Sequence, residues 1–140
     1  DICGSTVFTM GGATSVDRAM RVEGESWWPQ EMPSAAEYAE AEANLAAHNW
    51  SVDYVVTHCC ATQLLDTLYD GDIWQGPDEL TDWFDMLEHR LLFKHWYFGH
   101  HHRDMVIIPD HRALYRDIVP LGDDEPLNQK SSSEEFVTDV

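Results

Sequence analysis

The chain has 140 residues, 44% of them hydrophobic, and sets 26 Asp and Glu against 8 Lys and Arg for a formal net charge of −18. That length suits one domain with a real core rather than two, and six tryptophans, five tyrosines and five phenylalanines argue against a disordered chain. The acid excess disfavours general binding to a nucleic-acid backbone, which needs basic residues to release counterions, so none is expected; bound cations would offset part of the self-repulsion, although a merely acidic surface explains the charge equally well.

Cysteine is sparse: Cys3 and the neighbours Cys59 and Cys60. An odd count with an adjacent pair is no disulfide framework, so a reducing cytoplasm is the expected compartment. No apolar stretch in the sequence is long enough to span a bilayer and no signal peptide is visible, so no membrane partner is expected. The chain begins at Asp1 and soon enters "TVFTMGGA", which reads as a strand already under way and suggests a piece of something larger.

In chain order, residues 6–10 read as a short strand ended by Gly11 and Gly12. "ATSVDRAMR" follows as a brief helix, with Thr14 or Ser15 as its cap. "EGESWWPQEMP" is a loop whose two tryptophans either pack as an aromatic lid or face a substrate. "PSAAEYAEAEANLAAHNW" is the clearest helix: Ser34 and Glu37 make a capping box, and Tyr38, Ala41 and Leu45 share a face. "SVDYVVTH" is a β-branched run ending at Thr57 and His58, dense enough in apolar residues to suggest a strand covered on both faces.

"CCATQLLDTLYDGDIWQG" reads as irregular, with a turn at Asp70 and Gly71. Pro77 at a helix start, followed by Asp78 and Glu79, opens a second good helix. Leu80, Trp83, Phe84, Leu87 and Leu91 recur on it at three- and four-residue spacing, so that stripe is core. "FKHWYF" is a further strand ending at Gly99, and "MVII" and "ALYRDIVP" are two strands joined by a turn at Pro109 and Asp110. From Gly122 onward the sequence is an acidic, polar tail expected to fray or pack loosely. The mixture of elements predicts a layered α/β or α+β fold.

Two apolar strands stop at histidine, one at His58 and one at "KHWYFGH", which ends at His100. Ligands collect at the carboxyl ends of strands in sheets flanked by helices. Adjacent strand ends could therefore bring His58 close to His100 and His102, and neutral imidazole ligates several first-row ions. Gly99, without a Cβ, would let the chain turn sharply enough to aim His100 and His102. Ordinary loop histidines remain the alternative.

"VDYVVTHC" followed one helix later by "WYFGHHHRD" resembles the last two signature blocks of the calcineurin-like metallophosphoesterases, an apolar strand ending in a ligand histidine and a G-H-x-H block. "FTMGGATSVDRAMR", "SWWPQEMPS" and "NLAAHNWSVDYVVTH" resemble the matching region of bacterial Ser/Thr-phosphatase-like members, and the likeness runs over residues 6–121. The resemblance implies a mixed β-sheet sandwich flanked by helices, of which residues 1–121 would be the C-terminal half, with 122–140 as the tail. It also implies two divalent or transition metal ions, Mn, Fe or Zn, at the strand ends. His58 and His100 would bind one and His102 the other. His101 falls on the variable position and is read as facing solvent or substrate; His95, inside its strand, is read as a packing residue. Asp104, Asp17 and Arg21 could support the site from behind or line its rim, though Asp17 and Arg21 could equally be an exposed i,i+4 pair.

The implied activity is hydrolysis of a phosphorylated substrate, two cations about 3.5–4 Å apart polarising the phosphoryl group. The family's D-x-H, G-D-x-x-D and G-N-H-[DE] blocks are absent. "GDIWQ" starts correctly at Gly71 but has Gln75 in place of the second Asp and follows His58 instead of preceding it; "DHR" at Asp110 lacks the intervening residue. The chain alone is therefore expected to be inactive, with the carboxylates in a longer parent. The alternative is a stand-alone half-domain that binds one metal or self-associates through exposed sheet edges. After His58 relatives often carry a T-H-C-A-P-like stretch, where this chain has Cys59, Cys60 and Ala61; both thiols read as small buried packing, with redox sensing or metal ligation as alternatives.

Overall fold

The computed structural model describes residues 1–71, 76–107 and 109–123. The apolar runs form strands β1 (Val7–Met10), β2 (Tyr54–Thr57), β3 (His95–Phe98), β4 (Met105–Ile107) and β5 (His111–Ala113), joined with helices α1 (Ala35–Ala47), α2 (Thr62–Tyr69) and α3 (Glu79–Arg90). The strands make a single mixed sheet in the order β1-β2-β3-β5-β4, parallel throughout except for the antiparallel β4–β5 pair. The mixed α/β class expected from the sequence is therefore present. The second sheet of a sandwich is not found among the described residues.

Register and pleat decide which side of the sheet is core, because successive side chains point to opposite faces. Phe8, Val55, Trp96, His111 and Ile107 are partners across all five strands, and every one is buried. One residue further on, the row of Thr9, Val56, Tyr97, Arg112 and Val106 faces the other way. There Val56 is 38% and Val106 43% exposed. The expectation that β2 is covered on both faces is thus corrected: its outer face is open at Val56. Tyr97 and Arg112 are buried on that side, where Tyr97 Oη accepts from Gly122 N–H at 2.9 Å and Arg112 pairs with Asp117 at 2.5 Å.

The helices form for the reasons their sequences suggest, with one omission. At α1 Ser34 Oγ accepts from Glu37 N–H, and the Glu37 carboxylate accepts from Ser34 N–H at 2.7 Å, closing the capping box. At α3 the cap is Asp78, with Pro77 outside the helix, and Thr81 completes a second box by accepting from Asp78 N–H at 2.9 Å. Leu80, Phe84 and Leu87 are fully buried, so the predicted stripe is core. Residues 62–69, read as irregular, are the helix α2, which buries Leu64, Leu65, Leu68 and Tyr69. Asp70, left-handed at φ 53°, stops it.

Two other expectations need correction. Instead of a capped helix, residues 13–21 contain only a 3-10 turn at Arg18–Met20. Thr14 and Ser15 do not cap it: their hydroxyls donate to Asp78 Oδ2 and Glu31 Oε2, each at 2.6 Å. The last strand lies earlier than expected, since β5 ends at Ala113. Beyond it the N–H groups of Tyr115, Arg116 and Asp117 all turn to the Asp104 carboxylate instead of to a strand. Of the tryptophan pair, Trp27 is buried and takes the Arg18 guanidinium over its ring at 3.9 Å, while Trp28 faces outward. The "DIWQ" stretch and the tail from residue 124 lie outside the described residues. Among those described, no helix is long and apolar enough to cross a membrane.

Gly12 is the glycine on which the fold depends most visibly. Its φ is 102°, and a Cβ there would lie 2.9 Å from Glu31 O and 3.1 Å from Leu80 Cδ2. Gly99 has no left-handed backbone, and its Cβ would meet only ordinary contacts at 3.7 Å. Gly12→Ala should therefore lose about 1–3 kcal/mol, whereas Gly99→Ala should stay within about 0.5 kcal/mol. Urea unfolding of the two variants checks this contrast.

Candidate functional site

Three parallel strands end level with one another, and the candidate site begins there. His58 N–H donates to Met10 O at 3.2 Å, and Gly99 N–H donates to His58 O at 3.1 Å, extending the ladder one step beyond β1, β2 and β3. The exit of β2 is fixed from inside the core. Trp96 Nε1–H donates to Thr57 Oγ1 at 2.8 Å, and that hydroxyl donates to Cys59 O at 2.6 Å.

This alignment brings two of the predicted ligands together. The rings of His58 and His100 meet edge to face, with centroids 5.1 Å apart. His58 is exposed and His100 half-buried. Burial first, then the neighbouring His58 and His102, hold the His100 pKa below its ordinary value, which favours the neutral ring. His102 goes elsewhere: it is exposed and stacks on Tyr115 at 4.7 Å and 25°. Asp104, a candidate rim residue, holds the turn bearing Tyr115 by accepting its N–H at 2.8 Å.

The sharp turn does not depend on Gly99. His100 and His102 themselves carry the left-handed backbone, with φ of 67° and 52°, and His101 N–H donates back to Gly99 O at 2.8 Å. Non-glycine residues in that region cost on the order of 1–3 kcal/mol each and persist only where the surroundings hold them.

His101, read as facing solvent or substrate, is instead 9% exposed. Its Nδ1 shares a hydrogen bond with the Tyr69 hydroxyl at 2.7 Å, and its Nε2 lies 3.3 Å from Cys60 Sγ. Burial, and secondarily the three neighbouring histidines, push its pKa down to about 4, so the ring is neutral near pH 7. Burial also raises the Cys60 and Tyr69 pKa values, keeping both groups protonated. Cys59 is pushed up to about 12 by burial and the nearby Asp78, as suits a packing thiol. No local sequence signal marks His101 as buried, because its partners come from residues 60 and 69, more than thirty positions earlier. Neither Cys60 nor Tyr69 could be matched to it while α2 was read as irregular.

The remaining candidates have partners of their own. Arg21 Nε donates to Asp17 Oδ1 at 2.7 Å, an exposed i,i+4 pair. His95 packs against aromatic neighbours, stacked on Tyr54 at 6.4 Å and on Tyr97 at 6.0 Å.

The donor set fits a metal in part. Two adjacent imidazoles suit one ion, but among the described residues no group of three or more His, Cys, Asp or Glu side chains is arranged to hold one. The carboxylates of Asp78 and Glu31 act on His100 through their charge, opposing part of its downward shift. Comparison of the chain with family models, curated proteins and solved structures finds no match.

Proposed function

We propose that this chain supplies histidine ligands to the centre of a metal-dependent phosphoester hydrolase whose carboxylates lie in a longer parent chain. The observation that carries the reading is the meeting of His58 and His100 at the ends of adjacent parallel strands, with ring centroids 5.1 Å apart. The lowered pKa of His100 supports it, since a ligand imidazole must be deprotonated. When bound, a divalent ion would polarise a phosphoryl oxygen. The chain's own contribution is to bring two imidazole rings together just past the ends of neighbouring parallel strands.

A longer chain containing the three upstream blocks is expected to cleave an aryl phosphate with added manganese, and His100→Ala should reduce turnover by about 100-fold or more. Undiminished turnover in that variant would sink the proposal. A second reading, a non-catalytic module that holds one ion or pairs with a second copy, draws on the open outer face at Val56 and Val106. A stable dimer of this chain, with no aryl phosphatase activity in the longer chain, would favour it.

A further inference from the structure

The loop bearing His100 and His102 needs an anchor. Two left-handed non-glycine residues flank His101, and the three-residue hydrogen bond from His101 N–H to Gly99 O closes around His100. Left to itself, such a loop would relax toward ordinary backbone and carry both imidazoles with it.

His101 is the buried member of the loop, and its two ring nitrogens reach opposite ends of α2. Cys60 lies just before the Ala61 cap of that helix, and Tyr69 is its last residue. A neutral imidazole has one donor and one acceptor. A hydroxyl and a thiol can each serve as either, so both contacts are satisfied in either tautomer. Phe98 and Tyr69 hold the ring edge to face, at 6.0 Å and 5.6 Å between centroids.

We propose that His101 is a positioning residue: bridged between Tyr69 and Cys60, it holds the strained loop so that His100 faces His58. Its value for metal binding rests on the function proposed above; the geometric claim does not. Outer partners that orient ligands typically change metal affinity about 10–100-fold when removed. Here the partner acts through the backbone, because His101 adjoins both neighbours in the chain.

The test uses the full chain, without metal and with cobalt(II) as a spectroscopic probe. NMR of the metal-free protein should show a ring-to-ring contact between His58 and His100. His101→Leu and Tyr69→Phe should each abolish it while amide signals of β1 to β3 keep their positions, and His101→Asn, which places an amide near the Nδ1 site, should restore it. Persistence of the contact in Tyr69→Phe overturns the proposal, and that variant keeps the ring packing should His101→Leu fail to fold. In the cobalt arm, Tyr69→Phe should weaken binding about tenfold. A wild-type chain that binds no cobalt would count against the metal reading alone, since the ring contact still judges the positioning role.

Discussion

Phe84→Ala should cost about 3–5 kcal/mol of folding free energy, a large share of the stability of a domain this size. Phe84 is completely buried on α3 and meets the Trp96 ring edge to face at 5.5 Å and 87°. Removing it opens a cavity between α3 and the inner row of the sheet, where the backbone has little freedom to collapse. The effect should reach the site, because Trp96 fixes Thr57 and Thr57 fixes the carbonyl of Cys59 beyond His58. Phe84→Leu, which refills most of the volume, should cost about 1–2 kcal/mol. Chemical denaturation gives both values, and a loss below about 1 kcal/mol in the alanine variant would mean that α3 is not packed as described.

Stability should fall as the pH drops from about 6.5 to about 4. The ordinary histidine pKa is 6.5, and His101 is depressed to about 4 in the folded chain by burial. Between these values the unfolded chain binds the proton and the folded one does not, so acid favours unfolding. The contribution is fully present above the upper value and lost as the pH falls through the lower one, about 3 kcal/mol in all. The Asp53 carboxyl, lowered from 3.8 to about 2 by Lys94 and Thr6, acts in a separate and more acidic window. Urea midpoints measured in chelator at pH 7.5, 5.5 and 4.5 should therefore decline for the wild type. His100, also held low by burial, adds a slope of the same sign, so His101→Asn should reduce the slope without abolishing it, and an unchanged slope in that variant would assign it to other groups.

The elements with a strong local signal were legible in the sequence. The capping box at Ser34, the apolar stripe of α3 and the runs ending at His58 and Gly99 each encode their structure in nearby residues. The helix α2 carries little local signal, because its buried positions fall within eight residues ending in a turn signal. The strand expected over residues 113–120 stops early because Asp104, eleven residues before Tyr115, takes up the backbone donors. The outer face of β2 is illegible for a similar reason: an apolar run does not say whether another layer covers its second side. At the site, the meeting of His58 and His100 follows from parallel pairing and was anticipated. The burial of His101 and the stacking of His102 on Tyr115 depend on α2 and the Asp104 turn, the two features the sequence left unread.

A loop selected only for its shape would place glycine or asparagine at residues 100 and 102, where those side chains relieve the backbone. Imidazole at both positions opposes that steric preference. On the proposed function, stability and ligation pull in opposite directions there, since substitutions that ease the turn would remove the imidazoles. Selection for stability alone should therefore replace residues 100 and 102 early, whereas selection for metal binding should keep them.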